Sequence, residues 1–227
     1  MDDGSVLRAG EAYRHWAPRY EDETAVSALE DRIVRERTPS VDGRELLDAG
    51  CGTGRRLRPH VAAARRAVGV DLVPEMLGVG RAIEEPVPLV AADVRSLPFP
   101  EASFDLLWCR LVLGHLPDLS PAYRELGRVG RSGADLIVSD FHPAAVAAGH
   151  SRTFRDAEGR LRTVEHHVHV ASDHTAAATA AGWTVRSVLD VPAGQEERRF
   201  WERAGRLDQF ENERELPLVL ALWFRRG

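Results

Sequence analysis

Short apolar runs alternate along this chain with stretches whose apolar residues recur at helical spacing. The first forty residues read as helical. Ala25, Leu29, Ile33 and Val34 fall near i, i+4 and i+8, on one face of a helix starting around Glu23. Thr38-Pro39 ends it, because proline disfavours helical backbone in the residue before it. Beyond Pro39 the pattern predicts strand, turn and helix in repetition. Strands are expected at Glu45–Ala49, Ala67–Asp71, Pro88–Ala91, Phe104–Cys109 and Asp135–Ser139. Helices are expected through Leu57 and Val61 (shortened by Pro59), from Pro74 to Ile83, and from Ser120 to Val129. The strands are near-continuous apolar runs, which indicates a mostly parallel sheet covered on both faces. Pro143 to Thr163 turns polar and reads as a connector or partial lid. Val164–Val170 alternates like an additional strand, and Asp173 opens a helix ending at Gly182. Trp183–Val191 reads as a sixth strand, Glu196–Glu211 as a charged helix and Leu216–Phe224 as a final apolar strand.

Composition narrows the class. With 227 residues, 44% hydrophobic and 29% charged, the chain is long enough for one domain with a core that needs no staples. Two cysteines, Cys51 and Cys109, cannot make a disulfide framework or a four-cysteine metal site. A net charge of −5, well mixed, lacks the basic field that nucleic-acid binding needs. No apolar run is long enough for a transmembrane helix, so no membrane association is expected. The acidic N-terminus lacks the apolar core of a secretory leader, which points to a cytoplasmic location. All 30 basic residues are arginine, which excludes a lysine nucleophile, a Schiff base and a P-loop lysine. Together with abundant alanine, this usage resembles actinobacterial high-GC coding.

The chemistry concentrates in Leu46-Leu47-Asp48-Ala49-Gly50-Cys51-Gly52-Thr53-Gly54, where a strand feeds a turn. Glycines there permit a tight turn and a close approach of backbone to ligand. A dinucleotide site wants G-x-G-x-x-G, but Arg55 occupies the third slot and the glycine falls at Gly54. The pattern therefore argues against a nicotinamide dehydrogenase.

This segment resembles the first motif of the class I S-adenosylmethionine-dependent methyltransferases. Gly69-Val70-Asp71 ends the next strand with an acid 21 residues after Gly50, matching the family acid that binds both ribose hydroxyls. Ala92-Asp93-Val94 resembles the segment whose acid approaches the adenine amino group, and Ser103–Trp108 resembles the fourth strand, whose end flanks the cofactor. The resemblance covers roughly Tyr13 to Gly227 and is strongest from Leu46 to Asp140. It implies a Rossmann-like α/β fold with a seven-stranded, mostly parallel sheet and helices on both faces. The last strand would be antiparallel and inserted beside the fifth, with an N-terminal helical cover and an extra lid strand. It also implies S-adenosyl-L-methionine as cofactor, held by Asp48, Gly50, Cys51, Gly52, Gly54, Asp71, Leu72, Asp93, Val94 and Tyr20.

Three segments are expected to line the acceptor pocket. Tyr13, Ala17 and Tyr20 resemble the family's N-terminal segment that folds over the cofactor, and Tyr13 and Trp16 are read as acceptor contacts. His115 matches a histidine common in relatives near the methionine moiety. His142 follows the fifth strand, whose end faces the methyl group in the family, and is the leading candidate base, with His115 second. Of the cluster His166, His167 and His169, the last two would share a strand face, one of them meeting the acceptor. No carboxylate or cysteine completes a metal-ligand spacing with them and His174, so no metal is expected. Asp173 is read as a helix cap.

The reading is a single methyltransferase domain over 1–227, with a helical cover at 1–40 and a lid or acceptor insertion at 143–170. The acceptor is expected to be a small secondary metabolite with an aromatic or heteroaromatic ring, indoles included. A monomer or homodimer without nucleic-acid or membrane partners is expected. The rival is a non-catalytic S-adenosylmethionine-binding module that scaffolds or regulates a partner.

Overall fold

The structure, a computed structural model, describes residues 6–83 and 87–227. A two-residue strand, β1 (Val6–Leu7), leads into α1 (Ala9–Trp16), a single 3-10 turn at Ala17–Arg19, and α2 (Ala25–Arg37). Thr24 and Ser27 start α2 reciprocally: the Thr24 hydroxyl accepts the Ser27 N–H at 3.1 Å, and the Ser27 hydroxyl accepts the Thr24 N–H at 2.8 Å. Then come β2 (Glu45–Ala49), β3 (Arg66–Asp71), α3 (Pro74–Arg81), β4 (Leu89–Ala91), β5 (Phe104–Arg110), α4 (Ser120–Val129) and β6 (Gly130–Phe141). The remainder holds α5 (Pro143–Ala147), β7 (Thr153–Arg155), β8 (Leu161–Val164), α6 (Ala171–Ala180), β9 (Trp183–Pro192), α7 (Arg198–Arg203), α8 (Leu207–Asn212) and β10 (Pro217–Arg226).

Seven strands form the main sheet in the order β4-β3-β2-β5-β6-β10-β9. β10 runs antiparallel to both of its neighbours, β6 and β9, and the other pairs are parallel. The final strand thus lies beside the fifth parallel strand, as expected. Alternation along the strands loads both faces. Leu46, Leu106, Trp108 and Ile137 face Leu29, Ile33 and Val34 of α2. Leu47, Leu107, Cys109 and Leu136 face Tyr123 and Leu126 of α4 and Ala178 of α6.

Several expectations are corrected. No helix runs through Leu57 and Val61; the chain turns there, with one 3-10 turn at Arg58–His60. Pro59 offers no N–H, and Gly52 and Gly54 hold left-handed backbone immediately before it. The strand expected at Val164–Val170 is absent beyond its first residue, so His166, His167 and His169 lie on irregular backbone. β8 instead occupies Leu161–Val164, mostly inside the stretch read as a connector, which also holds α5 and β7. Its partners are β7 and, in parallel, β1, with Val6 opposite Thr163 and Leu7 opposite Val164. The start of the N-terminal segment is therefore strand, and it pairs directly with the insertion. Around this small sheet Ala12, Phe154 and Val164 form a satellite core. Finally, the charged helix splits into α7 and α8 at Gly205, whose φ is 66°.

Candidate active site

β2 and β3 end side by side, and the crevice of an open α/β sheet lies beyond such carboxyl ends. Gly50 and Gly52 turn the chain with φ of 84° and 59°, in the region that favours glycine. A Cβ on Gly50 would collide with Val112, and one on Gly52 would lie 3.1 Å from both Tyr20 and Met76. Asp71 faces this turn. Its carboxylate accepts the Gly52 N–H at 2.8 Å and the Val73 N–H at 2.9 Å. Burial pushes its carboxyl above the usual range, against the pull of backbone donors at Val73, Gly52 and Leu72.

A cavity of ≈ 270 Å³ opens in front of the turn. Gly50, Gly52, Asp71, Leu72, Asp93, Val94 and Tyr20 line it, together with Tyr13, Val112 and His115. Leu72 is 58% exposed, an apolar side chain at the rim. Asp93 is held by Arg95, which donates from Nη2 at 2.6 Å and from its backbone N–H at 2.8 Å. The Arg95 side chain holds its carboxyl below the usual range against partial burial.

Asp48, Cys51 and Gly54 sit behind the turn rather than in the cavity wall. Cys51 is packed on Gly69, and Gly54 on Leu89. Asp48 is 2% exposed with an unpartnered Oδ1. Burial pushes its carboxyl up to about 6, with Arg110 and Arg56 opposing. Nearby, Glu30 of α2 accepts Arg110 at 2.8 and 2.9 Å and the Ser139 hydroxyl at 2.7 Å. Burial alone would raise Glu30, but Arg110 and Arg56 outweigh it and hold it at about 2.

A second cavity, of ≈ 320 Å³, meets the first at Tyr13, Tyr20 and Leu111, which line both. Trp16, Phe141, Arg152, Phe200 and Trp201 add to its wall. Leu111 has φ of 56°, an uncommon conformation for leucine and a local store of strain where the cavities join. Trp16 stacks on Tyr13 and Phe154, with ring centroids 5.5 and 5.1 Å apart.

Hydrogen bonds cross this junction. Arg152 donates from Nη2 to the Tyr13 hydroxyl at 2.8 Å. Tyr13 and His115 Nε2 lie 3.1 Å apart, and His115 Nδ1 lies 3.1 Å from the Glu165 carbonyl. A carbonyl only accepts, so Nδ1 carries the proton and Tyr13 donates to Nε2. Burial, then the charge of Arg152, pushes His115 well below the ordinary histidine range and keeps it neutral.

The other proposed histidines lie elsewhere. His142 lines neither cavity. Its Nδ1 accepts the Ala144 N–H at 3.0 Å, capping α5, so Nε2 carries the proton and donates to Asp190 at 3.0 Å. Both nitrogens are committed to partners within the protein. His169 donates to the Leu116 carbonyl at 2.8 Å, and the backbone N–H of His167 donates to Gly114 at 2.7 Å; neither side chain lines a cavity. Asp173 accepts the Val170 N–H at 2.9 Å from inside the first turn of α6. Sequence reasoning missed Arg152, Leu111, Phe200 and Trp201. Nothing distinguishes Arg152 by type in a chain whose every basic residue is arginine.

The methyltransferase domain family matches residues 47–138. A malonyl-acyl-carrier-protein O-methyltransferase of Dechloromonas aromatica is 31% identical over 174 residues, 75% of this chain and 62% of the relative. The chain thus spans about three fifths of that protein's length. A 27-O-demethylrifamycin SV methyltransferase of Amycolatopsis mediterranei is 31% identical over 209 residues, 86% of this chain and 72% of the relative. Among solved structures, an S-adenosylmethionine-dependent methyltransferase from Mesorhizobium loti superposes with a TM-score of 0.70 at 24% identity. That match covers 89% of this chain and 100% of the other, and it speaks for the fold.

Proposed function

We propose that this chain, which belongs to the class I S-adenosylmethionine-dependent methyltransferases, transfers a methyl group to a small-molecule acceptor seated in the second cavity. The observation that carries the reading is the junction: a glycine-walled cavity and an aromatic one share Tyr13, Tyr20 and Leu111. When bound, S-adenosylmethionine supplies a methyl group on a positively charged sulfur that leaves readily. The residues present fit it. Side-chain-free Gly50 and Gly52 keep the turn open, and Asp71, fixed by two backbone donors, keeps lone pairs for a vicinal diol. Leu72 and Val94 offer apolar contact, Asp93 an acceptor, and Tyr20 a cover.

The protein's main contribution is alignment, holding the acceptor's nucleophile at the junction. Tyr13 is the group placed to orient it, with Arg152 and His115 fixing its hydroxyl from two sides. A proton leaving the acceptor would be taken by the Tyr13 oxygen as Tyr13 passes its own to His115 Nε2. Burial makes His115 a poor proton acceptor, so the site suits acceptors that need no base before transfer. His142 has no part in this reading. The pairing of β1 with β8 supports residues 6–40 and 143–170 as one cover over both cavities; residues 1–5 of the expected cover lie outside the described residues.

The aromatic wall supports an acceptor with an aromatic or heteroaromatic ring. The Amycolatopsis relative, named for a rifamycin, supports a secondary metabolite. The Dechloromonas relative, named for a malonyl carrier protein, brings a carrier-borne acyl group into the test. The enzyme with methyl-labelled S-adenosylmethionine and a panel of free aromatic metabolites and malonyl carrier protein should label one of them and accumulate S-adenosylhomocysteine. Cofactor binding with no label moved to any acceptor would favour the scaffold reading instead.

A further inference from the structure

We propose that the acceptor carries a carboxylate for which Arg152 is the counter-ion, an inference that rests on reading the second cavity as the acceptor site. Arg152 is half-buried in the cavity wall. Its Nη1 donates to the Leu111 carbonyl at 2.9 Å and its Nη2 to the Tyr13 hydroxyl at 2.8 Å, and neither partner is charged. Among the described residues no carboxylate touches it, although its charge reaches buried Asp140 and opposes the burial that raises that carboxyl. Arg110 is paired with Glu30 and Asp31, Arg56 with the same two, and Arg44 with Asp135, whereas Arg152, like Arg55 and Arg226, has only uncharged partners. A half-buried cation gains from a partner of opposite charge, and this one retains N–H donors beyond the two in use. Its field is felt nearby, adding to burial in pushing His166 down to about 4.

The charge balance of the cavity points the same way. Four arginines line it (Arg55, Arg56, Arg152 and Arg206) against one carboxylate, Asp22, and of the four Arg56 is already paired with Glu30 and Asp31. Asp22 is taken by Arg19 at 3.2 Å, and Arg55 donates only to the backbone carbonyls of Tyr20 and Glu21. The cavity is therefore cationic and aromatic at once. A planar carboxylate can take two of the remaining donors and carries one charge for this one guanidinium; a phosphate, which arginine also binds bidentately, is the competing anion the test must include. Because Tyr13 and Leu111 line both cavities, the carboxylate would sit beside the junction, with its ring system against the aromatic wall.

Calorimetric titration of the protein saturated with S-adenosylhomocysteine tests this, with indole-3-acetate and 2-naphthoate against their primary amides and against 2-naphthyl phosphate. The acids should bind about tenfold or more tightly than the amides. Arg152→Gln should erase that preference, and Arg152→Lys should keep part of it. Titration of S-adenosylhomocysteine itself reports folding of each variant; if the Gln variant does not fold, the Lys variant's partial preference decides. Equal binding of acid and amide, binding of no acid, preference for the phosphate, or a preference surviving in Arg152→Gln would each overturn the proposal. Failure of wild type to bind S-adenosylhomocysteine would sink the methyltransferase reading, and this proposal with it. Cofactor binding without acid preference would sink this proposal alone.

Discussion

Asp48 is a carboxylate in the wrong medium, 2% exposed, with one oxygen unpartnered. Its carboxyl is raised by burial to about 6 from an ordinary 3.8, so the folded state holds the proton more tightly than the unfolded chain. Ionisation is then a penalty: stability is lost as pH rises from 3.8 through about 6, amounting to about 3 kcal/mol above that window. Glu30 has the opposite sign. Its carboxyl is held at about 2 against an ordinary 4.5, so its contribution is lost only as pH falls from 4.5 toward 2. Asp48→Asn should therefore raise Tm relative to wild type at pH 7.5, and the gain should shrink toward pH 4. A difference that does not vary with pH would show that Asp48 is paired or hydrated. The glycine turn and Asp71 were legible in the sequence because each residue's role follows from local backbone and its position at a strand end. Arg152 was not, because its distinction is its place in the cavity wall with its guanidinium on Tyr13, which only the packing reveals.

At the scale of elements, α5 shows how a short helix claims a residue that its position seemed to reserve for chemistry. Pro143 opens α5, which makes His142 the N-cap, and the imidazole takes the cap position that a serine or aspartate would fill. The histidine-proline pair carried that capping signal. His142→Ala should cost about 1 kcal/mol of stability through the lost cap and leave kcat near that of wild type. A fall of 10²-fold or more in kcat with an unchanged Tm would restore a catalytic role. The sheet strands were legible because they are apolar runs bounded by turn residues. The segment after β8 was not, since Val164, Val168 and Val170 alternate with polar residues yet no strand is available to pair beyond Val164. Pro59 and the left-handed glycines likewise overrode the spacing of Leu57 and Val61.

Over the whole molecule, chain order was legible as topology: successive apolar strands build the parallel sheet, and a last apolar strand closes it antiparallel beside the fifth. The coupling of the two termini of the cover was not legible, because β1 and β8 are short and more than 150 residues apart in sequence. That coupling places Tyr13 over the junction of the two cavities, and the account depends on the first of them holding the cofactor. Calorimetric titration with S-adenosylhomocysteine, in parallel for wild type and Gly52→Val, tests this most directly. Valine at a position with φ of 59° and 3.1 Å from Tyr20 and Met76 removes the opening of the turn. Wild type should bind S-adenosylhomocysteine, be stabilised by about 2.7 kcal/mol at a hundredfold excess over Kd, and give no heat with NAD. The folded Gly52→Val variant should give no S-adenosylhomocysteine binding. Equal binding by the two proteins, or binding of NAD in preference, would contradict the account.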